Sequence, residues 1–160
     1  MTCVCQLSTA DHVLIWSART WSANRRDWPR VEQEFRGPLG NEAADDLCQG
    51  LIVFFSLINS SACRKVSLSP LTCPGVSDDE ELLVGLLAEA QRNNWPAAVA
   101  MLEQILPPAA IRQALDPVAA IGRILAEAGY PFTRQSPAAA EDRDIGYRRD
   151  PSAPEHLICH

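Results

Sequence analysis

The start of one helix, at residues 77–80, constrains the fold of this chain more than any other stretch of its sequence. Ser77 and Glu80 are spaced as a capping box, in which each side chain accepts a hydrogen bond from the other residue's backbone N–H. The residues that follow form one apolar stripe at helical spacing: Leu82, Leu83, Leu86, Leu87 and Ala90. The pattern predicts a helix from 77 to about 93. The helix dipole accounts for the acidic run at 78–81 without any acid–base function.

Proline, glycine and apolar spacing divide most of the remaining chain into shorter helical segments. Ser8 or Thr9 is expected to cap the first segment. Pro29 fits the first turn of the second segment, which is expected to stop before Gly37-Pro38. The predicted helices span 10–24, 29–36, 42–61, 97–106, 109–115 and 118–128.

The segment at 42–61 is expected to be the central helix, with Asn41 as its N-cap. It carries the strongest apolar run of the chain. Apolar residues also occupy its other side, so it is expected to be surrounded by protein; these residues are Ile52, Val53 and Leu57. A strand over 51–58 stays an alternative, because aromatic and branched residues favour strands.

These segments together predict an all-α fold: a compact bundle of five to seven short helices with an irregular C-terminal tail. The helical domain is expected over 9–131, and a charged, proline-containing tail over 132–160. Residues 1–8 are expected to form an extended lead-in, and 62–76 a connector between helices.

Charge and apolar run lengths exclude several classes of protein. The 14 basic and 20 acidic side chains give a net charge of −6, which opposes a basic clamp for nucleic acid. The run at 51–58 is shorter than the about 20 residues that a membrane span needs. Because the N-terminus lacks the basic and apolar segments of an export signal, a cytoplasmic location is expected. The preference for arginine over lysine, with Lys65 the only lysine, is typical of GC-rich bacterial genes.

No common catalytic motif occurs in the sequence. The nucleotide-binding, zinc-protease and serine-hydrolase signatures are all missing. His12, with Trp16 one helical turn later, is the one internal histidine, and it is expected to be half-buried beside that tryptophan rather than to act as a base. A small enzyme that uses His12 is the third-ranked hypothesis, and no cofactor is expected.

Tryptophan and arginine concentrate near the end of the first predicted helix and suggest a surface for another protein. The candidate residues are Trp16, Trp21, Trp28, Arg25 and Arg26. Tryptophan and arginine dominate binding hot spots, so the first-ranked function is protein–protein interaction of a regulatory or adaptor type. The partner is another protein or a second copy of the chain, as a homodimer. Nearby acidic residues make single-stranded nucleic acid a poorer candidate.

Cysteine and histidine at the two chain ends suggest a metal site. Cys3 and Cys5 fall on one face of an extended segment, and one helical turn would align the C-terminal group. The zinc ligands would come from Cys3, Cys5, His156, Cys159 and His160. The second-ranked function is therefore a metal- or redox-responsive protein that uses these terminal residues.

Overall fold

A computed structural model describes residues 2–133 of the chain. The helices in this range are α1 (Thr9–Ala23), α2 (Trp28–Leu39), α3 (Asn41–Ser61), α4 (Asp78–Gln91), α5 (Trp95–Leu102) and α6 (Pro108–Glu127). Two single 3-10 turns, Val4–Gln6 and Arg25–Asp27, precede α1 and α2. The described range holds no β-strand, so the all-α prediction is confirmed and the strand alternative for 51–58 is wrong. Most of the predicted tail lies outside these residues.

Side-chain caps fix where two of the helices begin. Ser77 and Glu80 form the predicted capping box at the start of α4. Ser8 and Asp11 form a second one at the start of α1, so Ser8 rather than Thr9 is the cap. Each box satisfies N–H groups that a helix start leaves without intrahelical partners.

The structure corrects the predicted end of the second helix. Helix α2 continues through Gly37 and Pro38 to Leu39. The Gly40 N–H closes the last turn by donating to the Arg36 carbonyl at 3.0 Å. Gly40 has φ +80°, a backbone conformation that glycine adopts without steric cost. It is also the N-cap of α3, in place of the predicted Asn41.

One continuous helix replaces the two predicted over 109–128. Helix α6 passes through Pro117 without ending. Ala114, Val118 and Ile121 are fully buried on both sides of the proline. The packing of this continuous apolar face outweighs the hydrogen bond that the proline removes.

Helix α3 packs against no more helices than α6 does, so its being the central helix stays a prediction. It packs against α2 and α6, while α4 packs against α5 and α6. Leu47, Leu51 and Phe54 of α3 are buried in the core. The expectation that protein surrounds α3 is wrong, because Val53 on its outer side is 41% exposed. None of the described helices is long and apolar enough to span a membrane.

The contrast between Phe54 and Val53 tests this arrangement. Replacing the fully buried Phe54 with alanine should lower the free energy of unfolding by about 3–5 kcal/mol, because the core keeps a cavity. The neighbouring Val53→Ala should change it by less than about 0.5 kcal/mol, as surface substitutions usually do. Urea unfolding followed by circular dichroism measures both. Equal losses for the two variants would contradict the placement of α3.

Candidate binding groove

A buried ion pair joins α1 to the start of α4. The Arg19 guanidinium donates from Nε to Glu80 Oε1 at 2.6 Å and from Nη2 to Glu80 Oε2 at 2.9 Å. Both side chains are almost completely removed from solvent. Two parallel, charge-assisted bonds of this kind are among the strongest hydrogen bonds in proteins, and they fix the relative orientation of the two side chains.

The connector comprises residues 62–76. Arg19 and Glu80 hold its second half. Arg19 donates to the backbone carbonyls of Pro70, Cys73 and Gly75 at 3.2, 2.8 and 2.7 Å. With the two bonds to Glu80, all five N–H donors of the guanidinium are used. A loop without regular structure is thereby tied to the helical bundle.

Glu80 also accepts hydrogen bonds from the ends of this loop. The Ser69 N–H donates to it at 3.0 Å and the Ser77 N–H at 2.8 Å. Burial raises the pKa of Glu80, but the bonds from Arg19, Ser77 and Ser69 together outweigh this effect and hold the pKa below its usual value. The carboxylate is therefore ionised at neutral pH and keeps all of these bonds.

Asp79 holds the first half of the connector in a similar way. Arg64 donates to its two carboxylate oxygens at 2.7 and 3.1 Å, and the Ser67 N–H donates at 2.6 Å. The hydrogen bonds from Arg64 lower the pKa of Asp79, burial opposes them, and the Ser67 N–H lowers it further, with a net decrease. The acidic run at 78–81 thus anchors a loop as well as capping a helix, which its sequence-based interpretation omitted.

The anchored connector forms one wall of a groove of about 770 Å3. The other walls are the C-terminal parts of α1 and α3. Apolar side chains from all three segments line it, together with one from α4: Ala18, Trp21, Phe55, Ile58, Val66, Leu68 and Leu83. The rings of Trp21, Trp28 and Phe55 pack together beneath it, with the two tryptophan centroids 5.4 Å apart in an edge-on arrangement. This aromatic cluster gives the groove a rigid apolar base.

Basic side chains surround the apolar base. Arg25 lies over the Trp21 ring, with its guanidinium carbon 4.6 Å from the ring centroid. Lys65 is exposed, and its ammonium group has no ion pair or hydrogen bond within residues 2–133. Arg64 contributes a third cation, which Asp79 largely neutralises. Because none of the described carboxylates lines the groove, its described lining is basic in a chain of net charge −6.

The structure separates the predicted partner-binding residues. Trp21 and Arg25 line the groove. Trp28 is 6% exposed and supports the groove from beneath, whereas Trp16 is half-buried outside it. Arg26 is exposed in the 3-10 turn before α2 but does not line the groove. Sequence reasoning missed Arg64 and Lys65, because the connector has no periodicity to orient them.

The predicted metal and catalytic residues do not come together in the described range. Cys3 and Cys5 face each other on the first 3-10 turn, with their sulfurs 2.6 Å apart, so the expected extended lead-in is wrong at this point. His156, Cys159 and His160 lie outside the described residues. Residues 2–133 contain no group of three or more side chains arranged to bind a metal ion. His12 is exposed rather than half-buried, and no described side chain bonds to its imidazole.

Comparison with known proteins gives no relative for this chain. No family model, no curated protein sequence and no solved structure matches it.

Removing Arg19 tests whether the buried pair stabilises the domain. Arg19→Leu should lower the free energy of unfolding by about 3–5 kcal/mol, because Glu80 is left as an unpaired buried charge. The matched control is Arg36→Leu, which breaks an exposed ion pair with Asp45 and should cost less than about 1 kcal/mol. Similar losses for both variants in urea unfolding would contradict the role given to Arg19.

The lowered carboxylate pKa values predict how stability depends on pH. Unfolding returns Asp79 and Glu80 to their ordinary pKa values of 3.8 and 4.5. The unfolded chain then binds more protons than the folded protein does. The free energy of unfolding therefore decreases as the pH falls from the pKa values of the unfolded chain toward the lower pKa values of the folded protein. Asp79→Asn should make this decrease shallower. The control Glu34→Gln should not, because it changes an exposed carboxylate of α2 that makes no ion pair within residues 2–133. Equally steep curves for wild type and Asp79→Asn would contradict the argument.

Proposed function

We propose that the protein is a binding module that takes an acidic, partly apolar peptide segment of a partner protein in the groove. The observation that carries the proposal is the combination of an aromatic base with the basic side chains of Arg25 and Lys65 at the rim. Apolar side chains of the segment would bury against Trp21 and Phe55. Its carboxylates would pair with the two cations, which also steer an acidic segment toward this side of an acidic protein.

The chemistry of the lining favours binding over catalysis. The groove has Ser22 as a hydroxyl, but among residues 2–133 no histidine, cysteine or carboxylate lines it to act as a general base. His12, the candidate base of the enzyme hypothesis, lies near the start of α1, whereas the groove lies at the end of that helix. A regulatory or adaptor role through peptide binding therefore has more support than an enzymatic one.

The charge distribution favours a peptide over a nucleic acid. Aromatic and basic residues side by side can also bind single-stranded nucleic acid. A long polyanion, however, would meet the net charge of −6 beyond the groove. A short segment with a few carboxylates meets only the basic rim.

We propose the bacterial cytoplasm as the location, with support from the free thiols of the described cysteines and from the arginine-rich composition.

Selection from a random peptide library tests the proposal. Peptides displayed on phage and enriched on the full-length protein should carry Asp or Glu beside aromatic or aliphatic residues. A synthetic copy should bind about tenfold more weakly to the Arg25→Glu/Lys65→Glu double variant, because two rim attractions become repulsions. Fluorescence polarisation of the labelled peptide measures the affinity.

The matched control for this test changes the net charge equally on another surface. Arg112→Glu/Arg123→Glu alters two exposed arginines of α6 and should leave peptide affinity unchanged. No enrichment, enrichment of basic peptides, or equal loss in both double variants would overturn the proposal. Dimerisation of the wild type that the groove variant abolishes in sedimentation velocity would assign the groove to a second copy and also overturn it.

A further inference from the structure

The first 3-10 turn holds two thiols against each other at the surface. The Cys5 Sγ lies 2.6 Å from Cys3 Sγ, and the Cys5 backbone N–H also donates to Cys3 Sγ at 3.4 Å. Cys5 is exposed and Cys3 is half-exposed, so small reagents reach both. The proposed peptide groove uses neither residue.

The remainder of the fold keeps the turn in this conformation. The Val4 N–H donates to the Pro74 carbonyl at 2.9 Å, and the Val76 N–H donates to the Thr2 carbonyl at 3.0 Å. Cys3 itself forms an antiparallel bridge with Gly75. Because Arg19 in turn binds the Gly75 carbonyl, the two thiols are positioned by the buried network and not by their closeness in sequence alone.

The distance between the sulfurs distinguishes two uses of such a pair. Two thiolates on one tetrahedral zinc ion, with bonds of about 2.3 Å, lie roughly 3.7 Å apart. The sulfurs of Cys3 and Cys5 are closer than that, and the described range offers no further ligands to complete a metal site. The arrangement fits direct sulfur–sulfur chemistry better than shared metal binding.

We propose that Cys3 and Cys5 are a reversible dithiol–disulfide pair, oxidised by low-molecular-weight disulfides such as oxidised glutathione. The Cys3 thiolate attacks one sulfur of the reagent, whose disulfide bond breaks and releases one thiolate. The Cys5 thiolate then attacks the Cys3 sulfur, which forms the internal disulfide and releases the second thiolate. The protein loses two protons and two electrons, and the reagent becomes two thiols.

The order of attack follows from the hydrogen bonds of the turn. The Cys5 thiol and backbone N–H both donate to the Cys3 sulfur and lower the pKa of Cys3, whereas the same contact raises the pKa of Cys5. Cys3 is therefore the thiolate that reacts first. A disulfide between residues two apart is strained, which makes it easy to reduce again.

Mass spectrometry of one tryptic peptide tests the proposal. The first trypsin site follows Arg19, so peptide 1–19 contains Cys3 and Cys5 and no other cysteine. The full-length protein is incubated in mixtures of reduced and oxidised glutathione, then alkylated and digested. We expect peptide 1–19 to lose the mass of two hydrogens, to escape alkylation, and to regain both alkylation sites when reduced glutathione is in excess.

Folding and single-thiol variants provide the controls. The internal disulfide should form at least about tenfold faster in the folded protein than in concentrated urea, because the turn holds the thiols together. In Cys3→Ser, the remaining Cys5 should be alkylated or carry one glutathione. Stable double glutathionylation, a disulfide from peptide 1–19 to another cysteine, or equal rates with and without urea would overturn the proposal. So would stoichiometric protection of both thiols by added zinc.

Discussion

The ion pair between Arg19 and Glu80 is the interaction on which the surface features of this protein depend. Charges are buried at high cost unless hydrogen bonds satisfy them fully. Here Arg19 uses all five of its donors, and Glu80 accepts from the guanidinium and from two backbone N–H groups. The bonds that satisfy the pair are the bonds that order the second half of the connector, and the neighbouring Asp79 orders the first half. The same hydrogen bonds therefore stabilise the buried charges and hold the loop in place.

Both proposed sites include chain segments that Arg19, Glu80 and the neighbouring Asp79 order. The connector supplies Lys65 and the apolar wall of the groove, and its far end supports the turn that carries Cys3 and Cys5. The helices contribute rigid surfaces, on which Trp21 packs with Trp28 and Phe55 as one aromatic cluster. Irregular segments held on a rigid scaffold are where binding residues generally occur. In the proposed function, the bundle provides the rigid aromatic base of the groove and the connector provides one of its walls.

Most of the helices could be predicted from the sequence, but the site could be predicted only in part. Caps and apolar periodicity located the starts of α1 and α4 and the extent of α3, because these are local signals. Pro117 misled the prediction, since packing of α6 on both sides of it is a tertiary effect. Arg19 follows the buried Asp11 and Ile15 at helical spacing, which places it on an inward face. Its partner Glu80 could not be predicted from the sequence. Capping alone explained a glutamate at position 80, and no local rule pairs residues 61 positions apart.

Amide hydrogen exchange in an Arg19→Lys variant tests whether the buried ion pair orders the connector. Lysine keeps the charge but has three donors in place of the five-donor planar fork of arginine, so it cannot make every bond to Glu80 and the loop carbonyls. NMR-detected exchange should become faster at the Ser69, Val76 and Ser77 amides, while amides in the middle of α3 keep their protection. Unchanged protection at those three amides would contradict the account, and so would an equal loss of protection throughout the bundle.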